Sequence, residues 1–418
     1  MDKRIYREYV AILKEELQPA MGCTEPIAVA YCAALARQTL GALPETVEVL
    51  ESANIIKNVK SVIVPNTNGL RGIAAAAAAG IVADNADAQL QVLAELTPEQ
   101  VESVSTYLEQ AVFTVGRSDK DYVFDIQVRV TAGTDSAFVE IAGFHTNVIR
   151  VEKNGVVLQH KDYQESGNQH ATDRSLLTVE QIITFANEVD VADVQETLQR
   201  QLDYNWAIAE EGLRGDYGAN IGRILLQSYG TSVHNRAKAY AAAGSDARMN
   251  GCDLPVVINS GSGNQGLTAS LPVVIYAKEL DVTQEMLYRA LVVSNLVTIH
   301  LKTGIGSLSA YCGATAAGCG AAAGVTYLYG GQFREIAHTI VNAVAIDSGM
   351  ICDGAKASCA AKIASAVEAG LLGMQMQMHE SQFYGGDGIV VKGVENTIRN
   401  IGTLASAGMR DTDRTIIR

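Results

Sequence analysis

The sequence predicts an α+β protein. A mainly helical domain, the candidate catalytic domain, carries a smaller inserted α+β domain with a mostly antiparallel sheet. Apolar residues recur with the helical period near the N-terminus and again from about residue 171, but they alternate with polar residues between about 44 and 165. We therefore predict N-terminal helices over 1–43, the α+β domain over 44–170 and the helical catalytic domain over 171–418.

The N-terminal segment is predicted to form two helices joined by a turn. Apolar side chains between Ile5 and Leu17 fall on one helical face, and Pro19 ends this pattern. The turn Gly22-Cys-Thr-Glu-Pro26 then leads into a second helix. We expect both helices to pack on the C-terminal helical domain.

The next segment carries the signals of a sheet. Residues 124–130 alternate apolar with polar side chains, and Asn154-Gly155 lies between two strand-like runs, which is typical of a hairpin. Two helices interrupt these strands: an alanine-rich one over 72–84, and one that opens with a capping box at Thr97.

The C-terminal part returns to the helical period. Thr178 with Gln181 indicates a capped helix start. Glycine loops separate the later helices, and the loop 259–266 is the most prominent of them. The later helices are predicted at 282–300, 313–328, 333–347 and 356–373.

Composition and charge exclude several classes of protein. The 418 residues are 48% hydrophobic and 19% charged, as in a globular protein, and the net charge of −14 argues against nucleic-acid binding. The charge-free stretch between Lys302 and Arg334 is rich in Gly and Ala, which indicates closely packed helices rather than a membrane span. The charged start and the seven cysteines favour a cytoplasmic protein without a signal peptide.

Three cysteines stand in Gly- and Ala-rich segments near the C-terminus. Cys352 and Cys359 are seven residues apart, so on one helix their Cα atoms would be roughly 10 Å apart, which is wide for one tetrahedral ion but workable for ligands on different irons of a cubane. Gly354 would bring the two cysteines closer if the first half of the segment between them were a loop. With Cys312, they fit an iron–sulfur site, a zinc site or buried core thiols, and spacing alone leaves all three open.

The other cysteines have less chemical context. Cys32 lies on the second N-terminal helix, and Cys319 lies among Ala and Gly on a predicted helix, so both are interpreted as core residues. Cys252 lies in a turn and is interpreted as structural.

The glycine loop matches the dinucleotide-binding pattern G-x-G-x-x-G only formally. Such a site needs an uninterrupted helix after the last glycine, and Pro272 follows six residues later. A carboxylate held by backbone amides explains the loop better, although a tight packed turn is the alternative. The candidate substrate-binding residues are Ser260, Gly261, Gly263, Asn264 and Gln265.

Four further polar residues are candidates for substrate binding. Asn66 and Asn68 lie in a loop at a strand end, as does His145, and binding residues are common at such places. Lys356 lies between two of the cysteines, where it would bind a carboxylate or lower thiol pKa values. We expect the α+β domain to form one wall of the active site, with Asn66, Asn68 and His145 facing it.

Four motifs in this order resemble the L-cysteine desulfidase family, relatives of the alpha chain of iron–sulfur L-serine dehydratases. The resemblance covers essentially the whole chain, through Gly22-Cys-Thr-Glu-Pro26, Ser260-Gly-Ser-Gly-Asn-Gln-Gly266, Tyr311-Cys-Gly-Ala314 and Cys352-Asp-Gly-Ala-Lys-Ala-Ser-Cys359. It implies that Cys312, Cys352 and Cys359 hold a 4Fe–4S cluster with one iron open to substrate. It also implies that Cys23 is the catalytic base. Some dehydratases present a C-terminal cysteine to the cluster, and this chain ends without one.

The resemblance implies a lyase of cysteine catabolism that does not use pyridoxal phosphate. L-cysteine would give pyruvate, ammonia and hydrogen sulfide. L-serine dehydration is the alternative within the class, and a non-catalytic, cluster-containing metabolite or redox sensor is the alternative outside it. The expected partner is a small amino acid, with a possible homodimer. Cys23 is expected near a helix N-terminus, which favours its thiolate, and Glu25 is the rival base.

Overall fold

The computed structural model describes residues 1–164, 171–306 and 308–417. The helices are α1 (Lys3–Glu16), α2 (Thr24–Leu40), α3 (Ala53–Val59), α4 (Ile73–Ala83), α5 (Pro98–Gln110), α6 (Val179–Glu188), α7 (Gln195–Arg214), α8 (Ile221–Tyr229), α9 (Val233–Met249), α10 (Gly263–Glu279), α11 (Gln284–Ile305), α12 (Gly313–Leu328), α13 (Phe333–Asp347), α14 (Cys359–Met378), α15 (Val394–Thr403) and α16 (Arg410–Ile417). The strands are β1 (Pro19–Met21), β2 (Thr46–Glu51), β3 (Val112–Arg117), β4 (Asp125–Ala132), β5 (Asp135–Ala142), β6 (Val148–Lys153), β7 (Val156–His160) and β8 (Pro255–Val257).

A six-stranded sheet forms the centre of the smaller domain, with strand order β3-β2-β4-β5-β6-β7. Only the β2–β3 pair in this sheet is parallel, so the prediction of an α+β fold with a mostly antiparallel sheet is confirmed. The predicted hairpin joins β6 to β7, and Asn154 and Gly155 both take positive φ, as this turn requires. The predicted capping box at Thr97 opens α5.

The two N-terminal helices belong to different layers. Tyr9 on α1 packs edge-on against Phe185 of α6 and donates a hydrogen bond to the Leu176 carbonyl, so α1 lies on the helical side as expected. The expectation was wrong for α2, which packs between the sheet and α4. The reason is that α2 carries small apolar side chains on every face. It passes so close to α4 that a Cβ on Gly80 would collide with the Ala30 carbonyl.

Closely packed helices form the larger domain around α12. This helix contacts α10, α11, α13 and α14. A Cβ on Gly318 would collide with the Ala366 carbonyl of α14, and one on Gly320 with the Thr298 hydroxyl of α11. The charge-free stretch is therefore explained by helix contacts that only small residues allow. Among the helices of the described ranges, none is long and apolar enough to cross a membrane.

Helix α10 departs from the sequence-based expectation. Pro272 lies inside this helix and does not end it. A proline in a helix interior loses one backbone hydrogen bond, but α10 is buried along most of its length, and tertiary packing compensates for that loss. The strand before the loop, β8, pairs only with the short β1 in an antiparallel sheet, which is not the parallel arrangement of a dinucleotide-binding fold.

Three carboxylates lie buried at the end of the sheet beside Cys32. Burial and Asp125 raise the pKa of Glu51 to about 8, and neither carboxylate oxygen of Glu51 has a hydrogen-bond partner in the described chain. Burial also raises the pKa of Asp125 to about 6. Glu140 forms an ion pair with Lys120. Glu51 is therefore protonated in the folded protein at neutral pH.

This buried acid predicts a pH dependence of stability. The folded state keeps the Glu51 proton up to about pH 8, whereas the unfolded state releases it near 4.5, so stability falls as the pH rises through this window. Glu51→Gln should therefore raise the free energy of unfolding by about 1 kcal/mol or more at pH 8, and by much less at pH 5. Urea unfolding at both pH values measures this, with the exposed Glu102→Gln as control. Equal effects of Glu51→Gln at the two pH values would contradict the prediction.

Candidate active site

Four helices begin around one buried point in the molecule. Cys23 is the N-cap of α2, Ser262 that of α10 and Cys312 that of α12, while Cys359 is the first residue of α14. In the described part of the chain, none of these four helices has a side-chain hydrogen bond at its N-cap. Their dipoles therefore favour an anion or a thiolate here.

Direct contacts join these helix ends. The Thr24 hydroxyl on α2 donates to the Gly261 carbonyl in the loop before α10, at 2.9 Å. The Gln265 carboxamide on α10 lies against the first residue of α12. Cys23 and Cys359 share one small apolar cluster, which joins α2 to α14. The predicted base, the glycine loop and the cysteine segments are thus brought together.

Cys23 forms a pair with Glu25. The Cys23 thiol donates a hydrogen bond to Glu25 Oε2 at 3.1 Å, and the Asn58 amide donates to Glu25 Oε1 at 3.2 Å. Both members of the pair are buried. The first turn of α2 therefore places a thiol and a carboxylate side by side.

The pKa values in this pair differ from the expectation for Cys23. Burial and the Glu25 carboxylate raise the pKa of the Cys23 thiol, although the helix N-terminus was expected to favour its thiolate. Burial alone would raise the pKa of Glu25 too, but His145 and the Cys23 thiol outweigh it and lower that pKa. In the unliganded protein the proton therefore lies on Cys23, and the charge lies on Glu25.

The glycine loop forms a cradle beside a buried arginine. Ser260 and Gly261 have φ values of 50° and 75°, which turn the chain sharply into α10. A Cβ on Gly263 would collide with the guanidinium of Arg248, and Arg248 Nη1 donates to Asn264 Oδ1 at 3.0 Å. Because a cation and free helix amides lie together here, the cradle suits a carboxylate.

Several buried polar atoms around this cradle have no hydrogen-bond partner among the described residues. They are Arg248 Nε, His145 Nε2 and Gln265 Oε1. The His145 ring lies next to Gly261, and burial lowers the pKa of this ring, opposed by the Glu25 carboxylate. Unpaired buried polar atoms cost about 1–3 kcal/mol each, so a group of them indicates a site for a polar ligand.

The three predicted metal-binding cysteines come from two paired segments and a helix start. Tyr311 and Ile351 form an antiparallel bridge, and the Cys352 amide donates to the Ala310 carbonyl at 2.7 Å. Cys312 and Cys352 follow the two bridge residues, so their side chains share one face. Gly354 has φ 107° and forms a loop, and the predicted helix from 356 begins only at Cys359.

The electrostatics of these thiols fit a bound cation. Burial and the neighbouring Cys352 and Cys359 raise the pKa of Cys312 to about 12. Thiols this close become thiolates together only when a positive ion balances their charge, and three sulfurs suit an iron–sulfur cluster. Within residues 1–164, 171–306 and 308–417, no group of three or more His, Cys, Asp or Glu side chains is arranged to hold a metal ion.

A cleft of about 870 Å³ is lined by residues of both domains, and the cysteines at 23, 312, 352 and 359 are not among its lining residues in the described chain. Its walls include His145 from the α+β domain, Ser260 and Gly261 from the glycine loop, and Lys302 from α11. Burial lowers the pKa of Lys302 to about 8, opposed by the nearby Cys352 and Cys312. A small polar substrate entering the cleft would therefore meet the loop, the histidine and the lysine together.

Asn66, Asn68 and Lys356, three other predicted binding residues, do not line the cleft. The Asn66 amide donates to the Leu93 carbonyl at 2.8 Å, and Asn68 is exposed. Both take positive φ, so turn geometry accounts for these asparagines, and neither lines the cleft. Lys356 forms an ion pair with Asp353 at 2.5 Å, and its charge lowers the pKa of Cys359 against the larger effect of burial.

The remaining cysteines are core residues, as interpreted. Cys319 is buried in α12 with its thiol toward the Ile340 carbonyl, and Cys32 is buried against the sheet. Cys252 is buried in the main core. Sequence reasoning missed Arg248 and Lys302. The available sequence signal for Arg248 was its position directly after the alanine-rich stretch 241–247.

Comparison with known proteins identifies relatives over the whole chain. Residues 87–418 match the family model described as serine dehydratase alpha chain. A UPF0597 protein of Desulfitobacterium hafniense is 57% identical over 414 residues, covering 99% of this chain and 96% of the relative. UPF0597 proteins of Lachnoclostridium phytofermentans and Treponema denticola are 48% and 45% identical, covering 99% and 100% of this chain and 99% and 98% of the relatives.

Proposed function

The chain belongs to the serine dehydratase alpha chain family, and from this premise we propose that it is an iron–sulfur-dependent lyase acting on L-cysteine. The products are pyruvate, ammonia and hydrogen sulfide, and pyridoxal phosphate is not needed. The observation that carries the proposal is that Cys312, Cys359, the thiol–carboxylate pair and the carboxylate cradle lie at four helix N-termini, with Cys352 on the segment paired to Cys312.

The residues that would hold a 4Fe–4S cluster are Cys312, Cys352 and Cys359. When bound, such a cluster supplies a Lewis-acidic iron that makes the sulfur of the substrate a better leaving group. The donor set supports this assignment, because neighbouring thiols raise the pKa values of Cys312 and Cys359, and a bound cation would offset that effect.

Substrate binding follows from the cradle. The free amides at the start of α10, with the Arg248 guanidinium, hold the α-carboxylate of the substrate. His145 Nε2 offers a further polar contact from the α+β domain. Holding the carboxylate fixes the direction of the Cα–H bond relative to Cys23.

Proton transfer is assigned to the Cys23–Glu25 pair. The Cys23 thiol first passes its proton to the Glu25 carboxylate, to which it is already hydrogen-bonded. The thiolate then takes the Cα proton, the electrons of the C–H bond form the Cα–Cβ double bond, and the C–S bond breaks to release sulfide. The aminoacrylate becomes an imine, and water hydrolyses the imine to pyruvate and ammonia.

L-serine dehydration is the second candidate, because the matched family is described as serine dehydratase alpha chain. Anaerobically purified protein should release sulfide and pyruvate in equal amounts from L-cysteine, with slower pyruvate release from L-serine. Faster turnover of serine would assign the enzyme to dehydration. No turnover of either amino acid by iron-loaded protein would favour a sensor.

The cysteine assignment predicts which thiols hold the cluster. Cys312→Ala, Cys352→Ala and Cys359→Ala should each lose the brown absorbance and at least about 100-fold in turnover, since two thiolates hold a cubane poorly. Absorbance and iron content measure this. The matched control is Cys319→Ala, buried in α12, which should keep both. A colourless Cys319 variant would show that the triad is chosen wrongly.

The proton-transfer assignment predicts different effects for two neighbouring changes. Cys23→Ser should keep the cluster but lower kcat by about 10²–10⁴-fold, because a serine hydroxyl is too weak an acid to form the base. Glu25→Gln should also lower kcat, since the thiol loses its proton acceptor, but by less at high pH, where the thiolate forms unaided. Turnover by Cys23→Ser near the wild-type rate would make Glu25 the base.

A further inference from the structure

A buried ion pair links the C-terminal helix to the cysteine segments. Lys57 Nζ on α3 lies 2.6 Å from Asp413 Oδ1 on α16, and these side chains are 2% and 15% exposed. Lys57 Nζ also donates to the Cys352 carbonyl at 3.3 Å. The other oxygen of Asp413 accepts a hydrogen bond from the Ala310 amide at 2.9 Å.

These contacts fall on the two segments that carry Cys312 and Cys352. Ala310 and Cys352 are themselves joined by a backbone hydrogen bond of 2.7 Å. The Asp413 carboxylate therefore bonds to the segment of Ala310, and the Lys57 ammonium bonds to the segment of Cys352. The backbone of Lys57 also lies so close to Gly354 that any Cβ there would collide with its carbonyl oxygen.

The rest of the C-terminal segment wraps the same place. The Ser309 hydroxyl donates to the Ala405 carbonyl at 2.8 Å, within the π-helical turn Leu404–Gly408 that precedes α16. Gly402 and Gly304 are in backbone contact. Asp413 is thus fixed over the cysteine segments by packing on both sides.

We propose that Lys57 and Asp413 are positioning residues that hold the Cys312 and Cys352 segments in register for the cluster. The proposal depends on the proposed function in one respect, namely that the three thiols hold an iron–sulfur cluster. A charged pair this buried is costly to desolvate, and breaking it leaves one uncompensated charge. The pair makes hydrogen bonds with backbone groups of the cysteine segments, as expected of residues that orient metal ligands.

Asp413→Asn tests the proposal, with Asp411→Asn as the matched control. Asp411 lies on the same helix with an exposed side chain and forms an ion pair with the exposed Arg414. In anaerobically purified protein, Asp413→Asn should lose iron to a chelator about 10-fold faster than wild type. Asp411→Asn should lose iron at the wild-type rate.

Hydrogen–deuterium exchange supplies a readout that does not need the cluster. In cluster-free protein, Asp413→Asn should speed exchange at the Ala310 and Cys352 amides and leave the sheet unchanged. Lys57→Gln gives the same readout if Asp413→Asn does not fold. Wild-type exchange and iron loss in these variants would overturn the proposal. Wild-type protein without iron would overturn the proposed function instead, and the exchange result would still decide on Lys57 and Asp413.

Discussion

Close approach of helix backbones is the constraint on which the rest of this structure depends. Glycine and alanine let α2 pass against α4, and α12 against α11 and α14, at distances that larger side chains would forbid. Because the helices pack this tightly, the N-termini of α2, α10, α12 and α14 meet at one buried point. The same small residues that make the sequence poor in charge thus build the site.

Burial affects the ionisation of the thiols at that point more than the helix N-termini do. The helix amides favour anions, yet burial raises the pKa values of Cys23 and Cys312, and it is reinforced by Glu25 at Cys23 and by the other two thiols at Cys312. The thiols therefore need added positive charge to ionise. Arg248 supplies part of it near Cys23 and Lys302 near Cys312 and Cys352, and a cluster would supply the rest in the proposed enzyme.

Local sequence signals predicted the helices and strands. Contacts between residues distant in sequence decided how these elements pack and which residues meet at the site. The hairpin at Asn154 and the cap at Thr97 depend on adjacent residues, so sequence identified them. The placement of α2, whose faces are all apolar, depends on which layer it meets, so periodicity gave no answer. Asn66 and Asn68 resembled binding residues because turns and sites use the same polar side chains. The Lys57–Asp413 pair joins residues 356 apart in sequence, which no motif records.

The position of α2 has a mechanical consequence. Its body packs against the sheet of the smaller domain, while its first residue follows Cys23; the thiols at 312, 352 and 359 belong to the larger domain. The group assigned to take the proton and the groups assigned to hold the cluster therefore belong to different domains, which meet where Cys23 and Cys359 share an apolar cluster. Any movement of one domain against the other would pull these groups apart, so the alignment of the two domains would itself govern turnover.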